Sequence, residues 1–264
     1  MPDDDDKRAL STFLSRNSVG DVNTPPLIHT TRSYNIASIK DTNELSPTKC
    51  DVFEEELLYL FVGRPAYKRD DPKSQAEYWE LPCCFIFDHL IGAEFKRIYP
   101  FDSGAFEAKR YPEYIGLMPM KQFETNTGTA PGRIISAFFG TFPKYFSGEA
   151  KDKEVFENEF SLGVLDTEVK ALRRLAQDGT PANFDDRRFT IEVQLDEKID
   201  FAETPPNAVV LPSIYLRDEK IKNKIVSEWK ATPITYEVYS LSLSAYDGII
   251  YSKVAEYLSE KKLI

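Results

Sequence analysis

Apolar positions along this chain fall into short blocks of three kinds. Two are continuous runs of strand length, 56–62 (ELLYLFV) and 83–87 (CCFIF). Runs without polar alternation predict strands buried on both faces. The first is broken at Gly63 and Pro65, residues that interrupt a strand. Shorter runs at 27–31 (LIHTT), 96–99 (KRIY), 208–211 (AVVL) and 235–239 predict further strands. A different pattern occupies 189–195 (FTIEVQL), where Phe189, Ile191, Val193 and Leu195 alternate with other residues. Alternation predicts a strand whose second face carries Glu192.

Helical spacing accounts for the third kind of block. Ser33 can cap a short helix with Ile36 and Ile39 on one face, and Asn43 can end it in a left-handed turn. Helices are predicted over 153–162, over 166–177 with Val169, Leu172, Leu175 and Ala176 in register, over 218–229, and over 247–261 with Ile250, Val254, Tyr257 and Leu258 inward. The stretches 68–80 and 178–188 are polar and read as surface loops, and 101–133 reads as irregular but aromatic. Strands and helices mix without regular alternation, and there is no internal repeat. That order predicts an α+β fold rather than a doubly wound sheet. The first residues, MPDDDDK, form a solvated acidic arm or a cleavage tag, and 8–26 reads as a loose lead-in. The expected organisation is therefore a flexible acidic and polar lead over 1–26 and a single domain over 27–264.

Composition narrows the function classes. Apolar residues make up 42% and charged residues 29% of 264, which is globular composition. No apolar run approaches the roughly 20 residues that span a bilayer, and the start lacks the apolar centre of a signal peptide. The expectation is a soluble, cytoplasmic protein without membrane partners. A net charge of −10 opposes broad, non-specific nucleic-acid binding. Cys50, Cys83 and Cys84 make no disulfide framework, and with only His29 and His89 beside them no metal site is expected. Glycine-rich dinucleotide and phosphate loops, the nucleophile elbow and the HExxH pair are all missing.

Three local constellations remain. His29-Thr30-Thr31 closes the first predicted strand. Its structural reading is a core histidine satisfied by backbone. Arg64, held between Gly63 and Pro65 after a buried strand, has little freedom and aims at a defined place. Its structural reading is an arginine paired with a nearby carboxylate. Glu192 is a carboxylate among apolar neighbours, and its structural reading is a charge on a wet outer face.

Together these three strings resemble the ADP-ribosyltransferases, and they are most similar to the DarT-type ADP-ribosyltransferase toxins. His-Thr-Thr with the helix at Ile36 and Ile39 looks like the first motif of that family. The string 60–67 (LFVGRPAY) is similar to its Tyr-Phe-x-x-Arg-Ser-Pro-type motif. The string 190–194 (TIEVQ) is similar to the strand that carries its catalytic glutamate. The order along the chain agrees, over roughly residues 27–200. Pro65 replaces the serine of the family string, Ala66 stands where a larger apolar residue is usual, and 100–146 has no counterpart. A DNA acceptor is therefore not carried over.

The resemblance implies a split, mostly antiparallel sheet with surrounding helices, and NAD as substrate. It implies transfer of ADP-ribose to a macromolecule, nucleic acid or protein. A toxin or phage-defence role with an antitoxin or partner protein would suit the family. Glu192 and Arg64 are the implied catalytic residues. His29, Thr30, Thr31 and Tyr67 are the implied NAD-binding residues. The chemistry suits these types: a fixed carboxylate stabilises positive charge developing on the ribose, and a planar guanidinium grips a pyrophosphate. The alternative is a catalytically inactive nucleotide- or protein-binding module on the same fold.

Overall fold

The computed structural model describes residues 8–22, 25–65, 76–90, 93–178 and 188–264. In chain order the elements are α1 (Leu10–Arg16), β1 (Leu27–Arg32), α2 (Ile36–Thr42), β2 (Glu44–Leu45), β3 (Thr48–Cys50), β4 (Glu55–Val62), β5 (Pro82–Phe87) and β6 (Arg97–Tyr99). Five helices and one further short one follow: α3 (Ser103–Glu107), α4 (Glu113–Gly116), α5 (Ala130–Phe138), α6 (Phe142–Ser147), α7 (Lys153–Glu159) and α8 (Thr167–Ala176). The chain closes with β7 (Glu192–Leu195), β8 (Ile199–Asp200), β9 (Ala208–Pro212), α9 (Glu219–Asn223), β10 (Thr232–Tyr236) and α10 (Leu243–Glu260). The protein is α+β, and its strand pairing is mostly antiparallel, with β9 and β10 paired in parallel. Among the described residues no helix is long and apolar enough to cross a membrane.

The chain divides into two compact units, Met1–Pro25 with Glu94–Gln194, and Pro26–Ala93 with Leu195–Ile264. The second unit is built on strands in the order β10-β9-β5-β1-β4, with β3 paired to β4. Its centre is β5, whose six residues are all buried. As a doubly covered strand it shows the unbroken apolar run that the sequence displays. The run 56–62 is likewise the body of β4, and α2 ends at Asn43 in the left-handed region, φ 60° and ψ 33°. Helix α10 buries Tyr246, Ile250, Val254, Tyr257 and Leu258 at helical spacing. β10 lies three residues earlier than the predicted 235–239. It contains Pro233, and an edge strand tolerates a proline because the missing N–H faces no partner. The predicted helix over 218–229 divides into α9, capped by Asp218 through the N–H groups of Lys220 and Ile221, and a π segment over Lys224–Glu228.

The first unit departs further from expectation. The lead-in over 8–26 contains α1, whose Leu10, Phe13 and Leu14 are buried. Phe13 packs edge-on against Phe160 at 5.0 Å between ring centres and also meets Phe138 and Phe156, each at 6.2 Å. Residues 1–7 lie outside the described residues. The stretch 101–133 is largely helical rather than irregular, holding α3, α4 and the first turn of α5. These helices are short, and the start of α3 is fixed by Asp102, which accepts from the Ala105 N–H at 2.6 Å. Gly132 in α5 sits so close to the preceding chain that a Cβ there would fall 2.1 Å from the Val22 carbonyl oxygen. Only glycine permits that approach. The predicted strand 189–195 is shortened to β7, because Phe189 takes a left-handed φ of 52°. β6 pairs with β7 in antiparallel register, Tyr99 opposite Glu192 and Arg97 opposite Gln194.

Candidate functional site

The six predicted site residues are described unit by unit. In the second unit β1 lies between β4 and β5, with Leu27 opposite Val62 and Thr30 opposite Cys84. The backbone therefore fixes His29, Thr30 and Thr31, all half-buried. His29 and Thr31 share one face of β1, and Thr30 faces the other way. The His29 Nδ1 lies 2.9 Å from the Tyr59 carbonyl oxygen. A carbonyl can only accept, so Nδ1 carries a proton and donates. Thr30 Oγ1 lies 3.2 Å from Cys84 Sγ, and Thr31 Oγ1 accepts from Asn35 Nδ2 at 2.8 Å.

Arg64 follows β4 directly. Its approach is set by Gly63, at φ 64°, whose N–H donates to the Pro26 carbonyl at 2.7 Å. That bond ties the end of β4 to the residue before β1. The same end of the sheet therefore carries both Arg64 and the start of the His-Thr-Thr strand. Arg64 is half-buried and hydrogen-bonds the Tyr251 hydroxyl of α10. Burial pushes the Tyr251 phenol up, and the Arg64 charge and hydrogen bond act against that rise. Tyr67 lies outside the described residues.

Glu192 belongs to the first unit and opens β7. Its side chain is 1% exposed, so the wet-face reading fails. All four residues of β7 are buried, which removes the outer face that the alternation suggested. Three donors hold the carboxyl. The Ser103 hydroxyl and the Gln194 amide each reach Oε1 at 2.7 Å, and the Ser103 backbone N–H reaches Oε2 at 3.1 Å. Gln194 Nε2 also contacts Ser103 Oγ at 3.2 Å, closing the network. Burial raises the Glu192 pKa from 4.5 to about 8, the charge of Asp102 adds to the rise, and the hydrogen bonds from Ser103 and Gln194 oppose it. Burial therefore favours the neutral acid, and the three donors that hold both oxygens favour the carboxylate.

Two of these partners escaped the reading of the sequence. Gln194 stands two residues from Glu192 and shares its face of the strand, so its parity alone could have marked it. Ser103 lies 89 positions away, and no local signal connects it to Glu192. The aromatic segment 101–146 is core rather than surface: Phe101, Phe123, Phe138 and Tyr145 are fully buried, and Phe106, Tyr111, Phe142 and Phe146 nearly so. Tyr114 is half-buried, bonded to Asp178 at 2.8 Å and covered by the Arg174 guanidinium at 3.9 Å. Among the described residues no cluster of three or more His, Cys, Asp or Glu side chains could hold a metal. No protein-family model and no curated protein matches the chain, so the assignment of these residues rests on their own chemistry.

Proposed function

We propose that this chain is an NAD-dependent ADP-ribosyltransferase, a cytoplasmic toxin or phage-defence effector acting on a nucleic-acid or protein acceptor. One observation carries the reading: Glu192, the residue that the resemblance nominates, is a buried carboxyl fixed at both oxygens by Ser103 and Gln194. A group oriented in this way costs no reorganisation when charge develops beside it. A strongly raised acid in a buried setting is also the pattern of a residue tuned for proton transfer near neutral pH.

In the proposed reaction the bond between the ribose C1″ and the nicotinamide nitrogen breaks. The bonding electrons leave with nicotinamide, and positive charge develops on the ribose. Ionised Glu192 stabilises that charge, the acceptor nucleophile forms the new bond to C1″, and its proton passes to the carboxylate. NAD⁺ brings a cationic ring, which favours the ionised form of a neighbouring carboxyl and lowers its pKa on binding. Arg64 would grip the pyrophosphate as a planar guanidinium. His29, Thr30, Thr31 and Tyr67 would place the ribose and the carboxamide. The split sheet of the family belongs to the same proposal.

A second reading is favoured by the same residue's burial. A carboxyl 1% exposed and fully bonded within the protein also suits a purely structural acid in an inactive binding module. Incubation with NAD⁺ and a cell extract, scoring released nicotinamide, separates the two. The transferase reading expects release that falls by about 10²–10³ in Glu192→Gln. Equal release by both proteins, or none from either, favours the module.

A further inference from the structure

The second unit holds a pocket of about 620 Å³, and none of the five described candidate residues is among the described residues that line it. This volume lies within the roughly 300–1,000 Å³ of small-molecule sites. Its wall is built from chain ends that the fold fixes firmly. Asn43 ends α2 in the left-handed region, and Lys230, also left-handed at φ 56°, follows the π segment. Asn207 leads into β9 and Thr232 opens β10, with the Thr232 N–H donating to the Asn207 carbonyl at 2.9 Å. Lys261 stands at the end of α10.

The two asparagines have an orientation that the chemistry dictates. Asn43 Oδ1 accepts from the Trp229 indole N–H at 2.8 Å. Asn207 Oδ1 accepts from the Asp88 backbone N–H at 2.7 Å. Both partners can only donate, so in each amide the carbonyl is committed to the protein and the NH₂ group remains as a donor. Charge points the same way. Lys224 is neutralised by Glu228 at 2.6 Å, whereas neither Lys230 nor Lys261 has a carboxylate partner among the described residues. In a chain of net charge −10, a concavity with two uncompensated ammonium groups is a local reversal of sign.

We infer that this pocket binds a small phosphate-bearing anion, with Lys230 and Lys261 supplying charge and the Asn43 and Asn207 NH₂ groups supplying directed hydrogen bonds. Several residues with N–H groups to donate along one concavity suit a group rich in acceptor oxygens, which a phosphate provides. The volume admits more than a single orthophosphate, so the expected ligand is a pyrophosphate or an organic phosphate. The inference does not depend on ADP-ribosyl transfer.

The test is calorimetric titration of the full chain with inorganic pyrophosphate at fixed ionic strength, with sodium acetate as the comparison anion. Asn207→Asp keeps an oxygen for the Asp88 N–H and replaces the outward donor with a negative acceptor. Loss of a hydrogen bond to a charged group is worth about 1.5–3 kcal/mol, so the affinity should fall about tenfold or more. Lys230→Ala with Lys261→Ala should reduce it similarly, and Lys153→Ala, at the exposed start of α7 in the first unit, should leave it unchanged. Thermal melts of each variant report whether the fold is kept. The inference is overturned by the absence of saturable pyrophosphate binding, by equal affinity for acetate, by unchanged affinity in folded Asn207→Asp and in the double lysine variant, or by an equal loss in Lys153→Ala.

Discussion

Glu192→Gln removes a titration that the fold has displaced, and the displacement should be visible in stability. The carboxyl has an ordinary value of 4.5 and rises to about 8 in the folded protein. Between those limits the native state keeps a proton that the unfolded chain has released. Stability then falls as pH rises, by up to about 1.4 kcal/mol per pH unit. The contribution of Glu192 is fully present below about pH 4.5 and is lost as pH climbs through about 8. Between pH 5 and pH 8 the accumulated loss is roughly 4 kcal/mol. Glutamine has the same shape and no titration. It keeps one acceptor for the Ser103 and Gln194 donors and turns the other oxygen into a donor, an offset of about 1–3 kcal/mol that does not vary with pH. Urea unfolding at several pH values between 5 and 8 measures both proteins at constant ionic strength. The wild-type advantage should shrink, or become a deficit, by several kcal/mol across that range, because the substitution removes the displaced titration of Glu192. A difference that stays constant would refute the reasoning, since it would mean that Glu192 is ionised throughout in the folded state.

Two further outcomes follow from the packing. Phe13→Ala removes the ring that joins α1 to Phe138, Phe156 and Phe160, and should cost about 3–5 kcal/mol in denaturant unfolding, whereas a loose lead-in would lose almost nothing. Native alkylation followed by mass spectrometry should label Cys50, which is half-buried, and spare Cys83 and Cys84, since burial pushes the Cys83 thiol well above its ordinary value and that of Cys84 up to about 12.

Where the fold was legible in the sequence, the signal was strong and local. The runs at 56–62 and 83–87 are apolar because β4 and β5 are covered on both sides, and Asn43 tolerates the left-handed turn that ends α2. The first unit was harder to read because its order comes from distant contacts. Helix α1 has only seven residues, and its Leu10, Phe13 and Leu14 sit among serines that resemble a linker. Between 101 and 146 the helices are too short for periodicity to emerge, and the aromatic excess reflects a ring cluster such as Phe101 stacked on Phe106 at 5.0 Å. At the candidate site, alternation correctly separated Glu192 from Val193 but implied a wet face. The face is dry because Ser103, brought in by α3, meets the carboxyl there, and nothing near Glu192 in sequence announces that partner.

The central claim is tested most directly by incubating the protein with NAD⁺ labelled in its adenylate phosphate, together with a cell extract divided into nuclease-treated and protease-treated halves. Macromolecular label that appears with the wild type, falls by about 10²–10³ in rate with Glu192→Gln, and vanishes with one of the two treatments is the predicted result. Label that Glu192→Gln transfers as fast as the wild type, or no labelled macromolecule from a folded wild-type protein, would contradict the assignment.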